Sequence, residues 1–251
     1  MQRESRRRRI CGWVPRLQEA QQQPDEGQIL LLSKEITLLV DARRGGRLLE
    51  IGDKRAQRNL LDTRAGAAWS EHLFSPGAQV RDFAQGRAKE VTDLSGGPYE
   101  ARLEEGKDFV KAVLNRQSKA FKLTKTVTLP ARGRKIFFTH RVTNVSDRPA
   151  EFLFGTGVTL SLKDAHVNRT GEAPGVRRFA VLDPAARLQV SWVFDRPARL
   201  WYFPLENGSG AQRIYQGVKL TGVWPVGLPP KRSWQIHWEL NVEEPDGWRA
   251  A

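Results

Sequence analysis

The chain has 251 residues, of which 39% are hydrophobic, and it carries eight tryptophans and a formal net charge of +13. This composition is sufficient for a substantial core, and the single cysteine excludes an intrachain disulfide. No apolar run reaches the roughly 18 residues that cross a bilayer, so we expect a single-domain cytoplasmic protein without membrane contact.

The first 27 residues are polar, basic and rich in glutamine, with four consecutive arginines at positions 6–9. Such a composition cannot bury a core, so we expect a flexible tail or a short helix. The apolar stretch after the arginines is short and meets Pro15, which does not fit an export signal. The other arginines are scattered along the chain, as on a solvated surface, and this argues against nucleic acid as a partner.

Runs of β-branched and aromatic residues begin at Ile29 and are separated by glycine, proline, asparagine and aspartate. These runs predict strands and turns. The first run, 29–40, is broken at residues 33–35, and Gly45 and Gly46 supply the positive φ of a tight hairpin. The segment 62–108 is rich in glycine and charge, so we expect long loops with short strands there.

Alternation of apolar and polar residues becomes clear at Phe121, where every second residue points to the same face. The same period recurs in four later runs: 136–142, 158–162, 188–194 and 234–242. No convincing twelve-residue amphipathic helix separates these runs. We therefore predict an all-β fold, a large antiparallel β-sandwich over residues 28–245, with a C-terminal tail at 246–251.

The titratable residues form no recognisable catalytic motif. Histidines at 72, 140, 166 and 237 are far apart and lack metal-ligand spacing, so we expect no metal and no cofactor. No Gly-x-Ser-x-Gly elbow is present, and Cys11 lies in the tail. Because His72 follows Glu71, acid–base chemistry is conceivable there, although a structural histidine is the simpler interpretation.

Tryptophans are concentrated in the last third of the chain, and an exposed aromatic ring is a natural platform for a sugar. Trp234 and Trp238 alternate with aliphatic residues, which predicts core positions. Trp201 and Trp224 lie near turn signals and prolines, which favours exposure. These two rings are therefore the better candidates for contact with a carbohydrate.

Short motifs near both ends of the predicted sandwich occur in a characteristic order. They are Asp25-Glu26-Gly27, the segment RGGRLLEI at 44–51, Asn59-Leu60-Leu61, LWYFPLEN at 200–207, IYQG at 214–217, WPV at 224–226 and LPP at 228–230. In this order the chain resembles the C-terminal β-sandwich domain of glycoside hydrolase family 57 α-amylases and 4-α-glucanotransferases. The resemblance covers residues 25–243.

The resemblance implies a galactose-mutarotase-like supersandwich and a non-catalytic α-glucan-binding or scaffolding domain, because the family's catalytic groups belong to a separate barrel. It implies an α-glucan or oligosaccharide ligand and a separately encoded barrel subunit as a partner. The carbohydrate-binding surface that it implies consists of Trp201, Glu206, Tyr215, Gln216 and Trp224. The chain departs from the family pattern after Asn59, around Gly157 and before Tyr215, where polar groups are lost.

Three alternatives remain open at this point. An aldose-epimerase-like enzyme on the same fold would use His72 or His166 with a carboxylate, an idea that rests on fold analogy. A polyanion-binding protein would use the arginine-rich N-terminus, because clustered arginines gain affinity by releasing counterions. A decayed gene fragment would have no function of its own.

Overall fold

A computed structural model describes residues 24–61, 68–162, 167–184, 186–207 and 214–245. A four-stranded antiparallel sheet consists, in spatial order, of β1 (Gln28–Leu32), β2 (Ile36–Asp41), β3 (Arg47–Asp53) and β4 (Arg58–Asn59). The predicted break at residues 33–35 separates β1 from β2. The hairpin glycines Gly45 and Gly46 have φ values of 75° and 57°, which confirms the predicted turn.

A much larger antiparallel sheet holds the other strands. They are β5 (Ser70–Phe74), β6 (Glu90–Thr92), β7 (Glu100–Glu105), β8 (Phe109–Gln117), β9 (Phe121–Pro130), β10 (Lys135–Asn144), β11 (Ala150–Leu160), β12 (Gly171–Asp183), β13 (Leu188–Asn207), β14 (Ile214–Leu228) and β15 (Ser233–Glu243). Their spatial order is β6-β5-β11-β14-β13-β15-β10-β9-β8-β7, and β12 pairs with β13. A short helix, α1 (Val80–Ala84), follows β5 in the chain. Within the described ranges, no helix has the length and apolarity to cross a membrane.

One extended core lies between the small sheet and one face of the large sheet. Leu38 of the small sheet shares this core with Phe154, Trp238 and Leu123 of the large sheet. We call the core-packed side of the large sheet its inner face and the opposite side its outer face. The alternating burial along β9 follows the predicted period of two, and the result confirms the all-β sandwich.

A second, smaller apolar cluster covers part of the outer face. Phe74, Leu153, Trp201 and Val223 come from β5, β11, β13 and β14, and Val80 of α1 packs over them. Helix α1 therefore closes the outer face above these four strands.

Candidate functional site

Two of the five residues predicted to bind carbohydrate are buried. Trp201 is fully buried beneath α1, and its indole Nε1 donates a hydrogen bond to Glu172 at 3.0 Å. Trp224 is 4% exposed and packs in the inner core against Phe154 and Trp234. The prediction that these two rings are exposed is wrong, because the alternation along β13 and β14 directs each into an apolar cluster.

The other three predicted residues lie together at the far end of the β13–β14 pair. Glu206 is exposed and pairs in register with Tyr215, while Gln216 lies at the register shift. Tyr215 is half-buried, and burial together with the charge of Asp183 raises its pKa to about 12. The structure thus brings Glu206, Tyr215 and Gln216 together, and their contact with carbohydrate stays a prediction.

Strand β5 carries titratable groups on both faces. Glu71 points inward and is fully buried, and Lys125 Nζ donates to its Oε2 at 2.5 Å. The same ammonium donates to the Gly45 carbonyl at 2.9 Å and lies 4.2 Å from the centre of the Trp69 ring. These contacts satisfy a fully buried lysine and connect the hairpin of the small sheet to the large sheet.

His140 completes this inner cluster of Glu71, Lys125, Trp69 and His140. Its Nε2 lies 3.1 Å from Glu71 Oε1 and 3.1 Å from Trp69 Nε1, so it either donates to the carboxylate or accepts from the indole. Burial lowers the pKa of His140 although Glu71 opposes this shift. Burial would raise the pKa of Glu71, but Lys125 and His140 hold it below its ordinary value. The result is a neutral imidazole beside a buried ion pair.

An outer cluster of Ser70, His72, Glu90 and Lys219 occupies the opposite face. Ser70 Oγ lies 2.9 Å from His72 Nε2, and His72 Nδ1 lies 2.7 Å from Glu90 Oε1. Lys219 Nζ donates to Ser70 Oγ at 3.3 Å. Burial lowers the pKa of His72 against the opposing bond from Glu90, so the neutral ring donates from Nδ1 and accepts the serine proton at Nε2.

The same order of hydrogen bonds occurs in serine–histidine–acid catalytic triads, but aromatic side chains enclose the histidine of this cluster. The His72 ring stacks on Phe74 with centroids 4.9 Å apart and meets Phe83 edge-on at 4.8 Å. Ser70 is only 5% exposed. Phe83 of α1 and Glu90 of β6 both contact His72, so the outer cluster connects α1 and β6 to the large sheet.

An open cleft of about 710 Å³ lies beside β12 and β13. It is lined by Val167, Asn168, Arg169, Ala173, Phe179 and Tyr202. It combines aromatic rings with polar side chains, which is the usual composition of a small-molecule site. In the part of the chain that the structure describes, no three histidine, cysteine, aspartate or glutamate side chains are grouped to hold a metal ion.

Sequence reasoning missed two residues whose position the strand phase could have revealed. Lys125 falls in phase with Leu123 and Val127, the inward residues of β9. Tyr202 follows Trp201 on β13 and therefore points to the opposite face. Counting two residues at a time from Trp192 along β13 would have placed Tyr202, and not Trp201, on the side of the cleft.

Comparison with known proteins identifies the family. A family model described as alpha-amylase/4-alpha-glucanotransferase, C-terminal, matches residues 64–238. The chain belongs to this family. A 4-alpha-glucanotransferase of Thermococcus kodakarensis is 26% identical over 184 residues, which cover 70% of this chain and 26% of the relative. The chain spans about a quarter of the length of the curated relatives it matches. Its family membership makes it a carbohydrate-metabolism-related domain.

Solved structures show the same fold. A 4-alpha-glucanotransferase from Thermococcus litoralis superposes with a TM-score of 0.69 at 20% identity, covering 85% of this chain and 37% of that one. A galactose mutarotase-like protein from Clostridium acetobutylicum superposes with a TM-score of 0.63 at 11% identity, covering 87% of this chain and 95% of that one. The predicted galactose-mutarotase-like sandwich is therefore confirmed.

Proposed function

We propose that this chain is an accessory domain that binds α-glucan and leaves the chemistry to a catalytic barrel. The observation that carries the proposal is the internal pairing of the buried acids and bases. Glu71 is bonded to Lys125 in the inner cluster, and His72 is bonded to Glu90 in the outer cluster. An acid or base catalyst must reach its substrate, and these groups reach each other instead.

The proposed ligand class comes from the family. Its matched relatives include a 4-alpha-glucanotransferase and an alpha-amylase, of which this chain corresponds to about a quarter. A domain of that size, with the acids and bases of its inner and outer clusters paired internally, is better suited to hold a glucan than to cleave one. Weak binding to a long polymer is sufficient for such a role, because many equivalent binding positions lie along one chain.

An aldose-epimerase-like reaction is less well supported by the geometry. The acid and the base of such a reaction must both touch the same sugar. His72 Nδ1 and Glu90 Oε1 lie 2.7 Å apart, which leaves no room for a sugar ring between them. His166, the other histidine considered for this role, lies outside the described residues.

Native electrophoresis of the purified chain in gels containing amylose tests the proposal. We expect retarded migration relative to a gel without polysaccharide, and competition by soluble maltoheptaose should abolish the retardation. The same preparation should release no reducing sugar from maltoheptaose. Unchanged mobility would contradict glucan binding, and turnover by the chain alone would contradict the accessory role. Retardation only in a dextran sulfate gel would favour binding to polyanions.

A further inference from the structure

The cleft exists because β12 and β13 do not pair regularly along their length. Their register shifts between Ala173 and Val176 and again between Val176 and Arg178. Gly175, in this interval, has a φ of +69°, a conformation that L side chains rarely adopt. Irregular pairing bends a strand pair and redirects its side chains, so the two halves of β12 diverge here.

An aromatic side chain lies on either side of this bend. Phe179 belongs to the second half of β12, and Tyr202 pairs in register with Gly171 at the start of β12. A Cβ atom at position 171 would lie 2.5 Å from Tyr202 Oη and 2.7 Å from its Cζ. A side chain at position 171 would therefore displace the Tyr202 ring from its place against β12. Both rings are half-buried, so they border the main core and still meet solvent.

The cleft also contains two polar side chains, Arg169 and Asn168. Arg169 and Asn168 are exposed, and Arg169 forms no ion pair with any residue in the described ranges. The guanidinium offers a planar fork of donors, and the asparagine amide both donates and accepts. Among the described residues that line the cleft, none carries a carboxylate. Donors and acceptors beside aromatic faces suit a sugar, whose ring stacks while its hydroxyls form hydrogen bonds.

We propose that this cleft is the oligosaccharide-binding site of the domain, with Phe179 and Tyr202 stacking on sugar rings and Arg169 and Asn168 bonding their hydroxyls. This inference rests on the proposed glucan-binding function and names the site that performs it. The volume of about 710 Å³ lies within the range of ligand sites, roughly 300–1,000 Å³.

Titration calorimetry of the full chain with maltoheptaose tests the site. Tyr202→Ala and Phe179→Ala should each weaken binding about tenfold, since each removes an aromatic stacking surface. Tyr202→Phe keeps the ring and should lose less. The matched control is Phe137→Ala, which removes a phenylalanine that is 40% exposed on the outer face of β10, and it should bind like the unchanged chain.

The variant Arg169→Gln distinguishes the loss of a ligand contact from a loss of binding caused by misfolding. Arg169 is exposed, so this substitution leaves the core intact and should weaken maltoheptaose binding severalfold without moving the thermal midpoint. If the unchanged chain binds maltoheptaose and all three variants, at positions 169, 179 and 202, bind equally well, the glucan function stands and the cleft is not its site. If the unchanged chain does not bind maltoheptaose, both the function and the site are wrong.

Discussion

The inner and outer clusters share strand β5 but satisfy their lysines in different ways. Lys125 is fully buried and donates to the carboxylate of Glu71 and the carbonyl of Gly45. Lys219 is only half-buried, donates to the Ser70 hydroxyl at 3.3 Å and lies 5.1 Å from the centre of the Phe83 ring. Burial lowers the pKa of both lysines, that of Lys219 to about 8.

The difference shows what a charge needs at each depth of the fold. An ammonium that is fully removed from water needs a counter-ion and hydrogen bonds to every proton. Lys125 obtains these from Gly45 in the hairpin of the small sheet and from Trp69 and Glu71 at strand β5, so its position depends on the correct packing of the two sheets. Lys219 keeps part of its hydration and therefore requires less of its neighbours.

Removal of the inner lysine should have the largest effect. Lys125→Met leaves the Glu71 carboxylate buried without its cation, and we expect the free energy of unfolding to fall by about 3–5 kcal/mol. Urea denaturation measures this loss. The double variant Glu71→Leu with Lys125→Met removes both charges and should recover much of the stability. A single variant that loses less than about 1 kcal/mol would show that the ion pair is not desolvated.

The sequence predicts the strands of this fold better than the contacts between them. The phase of β9 directs Lys125 inward, but its partner Glu71 lies 54 residues away on β5, which is not a neighbour of β9 in the sheet. The prediction that Trp224 is exposed is wrong because the neighbouring Pro225, a residue typical of turns, does not mark a turn here. Pro225 is instead part of β14, where it pairs with Leu153 of β11 and lies beyond the last residue that pairs with β13.

The buried sugar candidate Trp201 shows a second limit of the sequence. Its outward phase on β13 is readable from the alternation, and outward residues are normally exposed. The five-residue helix α1 covers it, and so short a helix leaves no periodic signal in the sequence. Surface exposure on this face was therefore not predictable without the path of the chain between β5 and β6.

Acidification should lower the free energy of unfolding through the two histidines, by an amount between the effects of the two lysine substitutions. Burial holds the pKa of His72 and of His140 below the ordinary value of 6.5. The unfolded chain therefore binds protons first, so the stability that these two neutral histidines contribute is complete above pH 6.5 and is lost as the pH falls below that value. Urea denaturation between pH 8 and pH 5 measures the slope. His140→Gln and His72→Gln should each flatten it, and an unchanged slope in both would show that these histidines are already charged in the folded state.

The smallest effect should come from the outer lysine. Lys219→Met removes one donor from Ser70, whose hydroxyl keeps its bond to His72, and it also removes the cost of partly burying a charge. These terms oppose each other, so we expect the free energy of unfolding to change by less than about 1 kcal/mol in urea denaturation. Substitution of lysine by methionine thus tests the inner and the outer cluster in the same way. If Lys219→Met lowered the free energy of unfolding as much as Lys125→Met, Lys219 would stabilise the fold as strongly as the buried ion pair, and the two clusters would not differ.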